Sequence, residues 1–249
     1  MSEIALFEVK FVLAADTVFE NPGDPFPTLR VRPEVLPDAK FKVMRVAFVD
    51  GQAGPLRKQD WTVRARHNGD DGKLKVSFKK RCALVEGLEA ARAKADAEFG
   101  PGLGGGTGEI DWTSCKQILS VSFKGYEGDP IPVAVAATQT LPAALPQPLA
   151  DALRTGLRQH GPVDARRWTA TVPGVGQKLE IEAWRLAPPG ISESIVVEVS
   201  FEEKDEVRAG AARDRLRRYL VSVGVVAIDE AFKTNALLDR YPGGPPTTL

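Results

Sequence analysis

Residues 61–81 decide the fold: Trp61-Thr62-Val63-Arg64-Ala65-Arg66-His67, then Asn68-Gly69-Asp70-Asp71-Gly72, then Lys73-Leu74-Lys75-Val76-Ser77-Phe78-Lys79-Lys80-Arg81. With a period of two, Trp61, Val63 and Ala65 share one face of the first run, and Thr62, Arg64 and Arg66 share the other. In the return run Leu74, Val76 and Phe78 oppose Lys75, Ser77, Lys79 and Arg81. The residues between them, with Asn-Gly and two aspartates, have the composition of a hairpin turn. The stretch reads as an antiparallel hairpin with one apolar face and one strongly basic face.

The same alternation recurs on both sides. Residues 3–13 predict a first strand, with Phe7, Val9 and Phe11 against Glu8 and Lys10, and residues 40–49 predict another. Residues 108–124 hold two strands, or one strand and a bend. Within 115–124, Gln117, Leu119, Val121 and Phe123 oppose Lys116, Ile118, Ser120, Ser122 and Lys124. Residues 166–172, 178–186 and 194–202 predict three more strands. There Leu179, Ile181 and Ala183 oppose Lys178, Glu180, Glu182 and Trp184, while Ile195, Val197, Val199 and Phe201 oppose Val196, Glu198, Ser200 and Glu202.

Helical spacing replaces alternation at 83–98, through Leu84, Leu88, Ala91 and Ala95, and at 204–222, where Ala209, Ala212, Leu216, Tyr219 and Leu220 share a face. Shorter helices are expected at 148–159 and 230–240. Residues 14–38 begin as loop, and the Pro- and Ala-rich 129–148 reads as an irregular crossing. The glycine run 100–106 lacks the phosphate-loop pattern and reads as a flexible connector. With about eight or nine strands, mostly in hairpins, and three or four helices, the expected fold is α+β. It is an antiparallel eight- or nine-stranded barrel, a tunnel, with helices packed outside. A single domain is expected over residues 1–241, with a disordered tail at 242–249.

Composition narrows the function classes. The chain has 249 residues, 43% of them apolar and 27% charged, with 33 acids balancing 33 bases. Low hydrophobicity with high net charge, the signature of disorder, is absent. Zero net charge argues against a general nucleic-acid binder. The arginines of 204–222 are interleaved with Glu203, Asp205, Glu206 and Asp214, which suits a solvated helix face. No run of about 18 apolar residues suggests a membrane span, and the first residues lack the pattern of a signal peptide. Cys82 and Cys115 have no metal-ligand spacing and read as free thiols of a cytoplasmic protein. His67 and His160 read as surface residues outside any nucleophile–base motif. A homodimer is left open.

Taken singly, each charged strand face is satisfied by solvent. Taken together, the basic pairs fall on neighbouring hairpin strands and the acidic pairs on later ones. If the sheet closes, these faces line one interior, where a crowd of Lys and Arg is costly without anions. Arginine forks match phosphate oxygens and lysine supplies point charge. Clustered carboxylates suit magnesium-like cations that bridge to phosphates.

The order of these features resembles the CYTH, or triphosphate tunnel metalloenzyme, superfamily. Phe7-Glu8-Val9-Lys10-Phe11 is similar to its N-terminal ExExK strand, and Trp61 to Arg66 to its basic RxR strand. Leu74 to Lys79 is similar to the strand ending in a substrate-binding lysine. Val196-Val197-Glu198-Val199-Ser200-Phe201 with the following helix resembles the late EIE strand and its helix, and Phe232-Lys233-Thr234 the closing segment. Two acids of the pattern are replaced, by Leu6 and Ser200; Glu180 and Glu182, or Glu109 and Asp111, are the acids available to compensate.

The resemblance implies a metal-dependent hydrolase of a triphosphate or related phosphoanhydride, acting on a small phosphorylated substrate. Lys79 and Glu8 would be catalytic. Lys10, Arg64, Arg66, Lys75, Arg81 and Lys116 would bind substrate, and Glu8, Glu180, Glu182 and Glu198 would hold Mg2+ or Mn2+. The replaced acids keep a second reading open, a polyphosphate- or nucleotide-binding module without efficient catalysis. A third is a barrel acting on an organic diphosphate, with Trp61, Trp112, Trp168 and Trp184 either lining the pocket or filling the core.

Overall fold

The computed structural model describes residues 6–188, 190, 192–228, 233–245 and 247. Among the described residues, ten strands form one sheet: β1 Leu6–Leu13, β2 Lys40–Asp50, β3 Trp61–Asn68, β4 Leu74–Ala83, β5 Thr107–Trp112, β6 Gln117–Gly128, β7 Arg158–Val172, β8 Gln177–Leu186, β9 Ser194–Glu203 and the short β10 Ala227–Ile228. The order is β10-β1-β5-β6-β4-β3-β2-β7-β8-β9, and β1 also pairs with β9, so nine strands close a barrel. Every pairing is antiparallel except β1 with β5.

Among the described residues, six α-helices accompany the barrel: α1 Pro55–Lys58, α2 Leu88–Phe99, α3 Val133–Gln139, α4 Gln147–Gly156, α5 Glu206–Ser222 and α6 Lys233–Arg240. The fold is therefore the α+β barrel that alternation predicts. α3 is an addition inside the stretch read as irregular. The residues before Leu6 and those at 229–232, on which parts of the first strand and last helix were expected, lie outside the described residues.

The larger apolar core sits outside the barrel wall. Trp61, Val63, Ala65, Leu74, Val76, Phe78, Leu119, Val121, Phe123, Leu179, Ile181, Val197, Val199 and Phe201 all point outward. Helices cover them, notably through Ala91, Ala95 and Phe99 of α2 and Ala209, Ala212, Leu216 and Leu220 of α5. Trp61, Phe99 and Phe123 form an aromatic trio with ring centroids 5.6–5.9 Å apart. Each such fully buried side chain contributes about 1.5–3 kcal/mol. Because this outer layer carries the burial, the inner face is free to be polar.

The glycine run is a packed element, not a flexible connector. Leu103 is buried against the core. A Cβ on Gly104, at φ +59°, would collide with the Phe99 carbonyl oxygen, and one on Gly108 would approach Leu103 to 2.6 Å. The glycines let the chain turn back from α2 into β5 at close quarters. Strand β7 also runs further than alternation suggests. Gly161-Pro162 looks like a break, but the register of β2 against β7 shifts between Val46 and Phe48 and accommodates it. Of the expected tail, Gly244 bridges to Gln159 and the Thr247 N–H donates to Gln159 Oε1.

The barrel interior is divided. Met44, Val46, Phe48, Val163, Ala165, Trp184, Leu186 and Val196 form a small apolar cluster with Leu237 of α6, which covers that part of the interior. The rest of the inner face is charged.

Candidate functional site

The charged part of the interior is a cavity of about 390 Å³. Strands β3 and β4 supply Thr62, Arg64, Arg66, Ser77, Lys79 and Arg81. Strands β1, β5, β8 and β9 supply Glu8, Lys10, Glu109, Glu180, Glu182, Glu198, Ser200 and Glu202. Arg167 of β7 and Lys233 of α6 complete the wall. The hairpin register places Arg64 opposite Ser77 and Thr62 opposite Lys79, so the basic residues stack on adjacent strands.

Most charges pair across the wall. Lys10 Nζ lies 2.7 Å from both Glu8 and Asp111. Lys79 pairs with Glu109 and stands 3.5 Å from Asp111 Oδ2, which also accepts from the Ser120 hydroxyl at 2.5 Å. Burial opposes the Lys10 ammonium, but Glu8 and Asp111 outweigh it and hold its pKa above the usual lysine value. Burial likewise favours neutral Asp111, and Lys10 and Lys79 outweigh that, holding its carboxyl below the usual range.

Arg64 and Arg66 are different. Among the described residues neither has a carboxylate within salt-bridge distance, and Arg66 Nε is buried without a hydrogen-bond partner. Burial, then the neighbouring Arg64 and Arg167, lowers the Arg66 pKa to about 10. Two guanidinium groups held in a confined space without matching acids are costly to keep charged there. Glu202 is the lining carboxylate without a cationic partner among the described residues. Burial and then Glu8, Glu180 and Glu109 raise its pKa.

The cavity thus gathers Glu8, Lys10, Arg64, Arg66, Lys79, Arg81, Glu180, Glu182 and Glu198, as the shared strand faces suggest. Two expected residues stand apart from it. Lys75 is at the rim, paired with Glu127 at 2.7 Å, and Lys116 lies before β6 in a separate recess with Thr62 and Arg81. The expected metal set is also split. Glu182 and Glu198 are bridged by Lys233, and Glu180 is bound by Arg167 at 3.0 Å. A different trio, Glu8, Glu109 and Asp111, has carboxylate oxygens within 4.8 Å of one another.

Arg167 and the bridging role of Lys233 escape sequence reading, whereas Glu202 takes the face that alternation gives it beside Glu198. Arg166 and Arg167 are adjacent, so only the strand register assigns Arg167 inward, while Arg166 faces out over Phe41 and Trp168. Leu6 takes an inward position with Glu109 beside it in register, and Ser200 has Glu180 beside it. Each missing acid therefore has a carboxylate one strand away. No tryptophan lines the cavity among the described residues. Trp61 and Trp168 fill the outer core and Trp184 the inner apolar cluster.

A closed nine-stranded barrel whose inner face carries opposed basic and acidic walls defines a tunnel-type protein. No protein-family model matches the chain, and no curated protein matches it in sequence. Among the solved structures that share the architecture are two that match over nearly the whole chain. One is a proposed adenylyl cyclase from Hippeastrum, described as having a dominant triphosphatase activity. It matches with a TM-score of 0.54 at 14% identity, over 93% of this chain and 94% of its own. The other is a proposed adenylate cyclase from Bacillus halodurans, with a TM-score of 0.52 at 14% identity, over 96% of this chain and 100% of its own. The chain shares the tunnel fold of these two structures. No helix among the described residues is long and apolar enough to cross a membrane.

Proposed function

We propose that the protein is a divalent-metal-dependent hydrolase of a triphosphate or related phosphoanhydride. The observation that carries this reading is the pair Arg64 and Arg66, unmatched by acids, facing a cavity whose opposite wall is rich in carboxylates. Arg64 and Arg66 grip phosphate oxygens, and Lys10, Lys79 and Arg81 add point and fork charge along the chain of phosphates. The lining is close to electrically balanced, so a bare polyanion gains little net attraction. An anion that enters with a cation suits both walls.

The acids fit that cation. Glu8, Glu109 and Asp111 offer only hard oxygen donors, close enough to share one ion, and these are the ligands of Mg2+ or Mn2+. When bound, the metal supplies charge neutralisation and activation of water. The chain does the rest. Lys79 moves from Glu109 to the phosphate and offsets charge on the departing oxygen. Glu8 would hold the metal side of the site. Arg64 and Arg66 keep the terminal phosphorus in line for water.

Phosphate release from inorganic triphosphate, thiamine triphosphate and ATP tests this, with and without Mg2+ or Mn2+. Metal-dependent release from at least one is expected, with Lys79→Met slower by about a hundredfold. Binding without release would select the alternative, a phosphate-binding module with the same grip. No release and no binding would remove both.

A further inference from the structure

Glu182 and Glu198 face each other directly on β8 and β9, and both are buried. A carboxylate offers about four acceptor directions, and those of Glu182 are filled. Trp184 Nε1 at 2.6 Å and Lys233 Nζ at 2.9 Å donate to Oε1. Arg167 donates twice to Oε2, from Nε at 2.9 Å and Nη2 at 2.6 Å. Lys233 Nζ also reaches Glu198 Oε1 at 2.9 Å and stands 5.1 Å from the centre of the Trp184 ring.

We propose that Lys233 is a resident cation: its ammonium takes the place of a divalent ion between Glu182 and Glu198. This acid pair then binds no metal, and the divalent ion is confined to the side of Glu8, Glu109 and Asp111. The inference rests on the reading that the cavity takes a divalent ion at all.

The geometry distinguishes the two acid groups. Mg2+ demands oxygen lone pairs in near-octahedral array and keeps several waters. Glu182 has no lone pair to give, and Trp184 blocks one flank. An entering ion would have to expel Lys233. That lysine opens α6, whose Leu237 is anchored in the inner apolar cluster. Expulsion would strand an ammonium in a buried setting or pull the helix away. Burial disfavours the charged form of Lys233, but Glu182 and Glu198 outweigh it and raise its pKa. Lys10 and Lys79, by contrast, reach Glu8 and Glu109 from strands that also face the phosphate site, and can shift to phosphate oxygens.

Calorimetric titration of the full chain with Mn2+ alone decides the matter. The native protein is expected to take a fixed number of equivalents, and Lys233→Met one more. Glu198→Gln is expected to leave the affinity within about twofold, whereas Glu109→Gln weakens it by about tenfold or more. An unchanged stoichiometry in folded Lys233→Met overturns the inference. So does a tenfold loss in Glu198→Gln, which decides alone if Lys233→Met does not fold. If only Lys233→Met binds Mn2+, the cation role of Lys233 stands, while confinement of an ion to the Glu8 side fails together with the proposed metal dependence. If neither binds, both fail.

Discussion

Arg66 shows how a single residue can be held at a loss to stability. It is desolvated beside Arg64 and Arg167 with no acid of its own. Arg66→Met should therefore stabilise the ligand-free protein by about 1 kcal/mol, or about 2–4 °C in melting temperature for a chain of this size. The same variant should lose most of the stabilisation that added triphosphate gives the native chain. A lower melting temperature without ligand would contradict this.

Glu182 and Asp111 behave in the opposite sense. Burial works against their charge, but Lys233 and Arg167 for Glu182, and Lys10 and Lys79 for Asp111, hold both pKa values below the ordinary 4.5 and 3.8. The stability they contribute is complete above those values and is lost as pH falls below them. Melting curves should decline below about pH 4.5, and Glu182→Gln should flatten that decline while costing about 3–5 kcal/mol at neutral pH, because it breaks a buried ion network. A parallel acid limb in the variant would show that Glu182 is not responsible. At this scale the sequence is informative wherever alternation is clean, as at Arg64, Arg66 and Lys79. It is silent where two arginines adjoin, as at Arg166 and Arg167, since only the partner strand decides which of them points inward.

Among the elements, α6 joins the apolar and charged halves of the interior. Leu237 seals the small inner cluster and Lys233 reaches the acids beside it. Leu237→Ala should cost about 2–5 kcal/mol, read by denaturant unfolding, and should weaken protection of the inner strands in hydrogen exchange. A change below about 0.5 kcal/mol would mean that the helix is not a structural closure. The strands were legible because one apolar and one charged face alternate with period two. The extent of β7 was not, because its shift in register lies in the partner strand β2 and the sequence shows only Gly161-Pro162. The glycine run was misread for a related reason: glycine marks close packing as well as freedom, and only Phe99 and Leu103 tell the two apart.

For the whole molecule, the outer placement of the main core explains how a chain of zero net charge can hold so many charges inside its barrel. The wall is stabilised from outside, by helices on apolar strand faces, and the interior is left free to carry charge. Composition reported the balance of charge but not its location. Location followed from closure of the sheet, which the sequence implied through hairpin strands and the resemblance to tunnel enzymes. The measurement that tests the account most directly is calorimetric titration with inorganic triphosphate, in the presence and absence of Mn2+. One binding event is expected with Mn2+, at least about tenfold weaker without it, and abolished in the double variant Arg64→Met/Arg66→Met. Absence of binding in the native chain, or binding untouched by the double variant, would contradict the claim that this cavity is a metal–polyphosphate site.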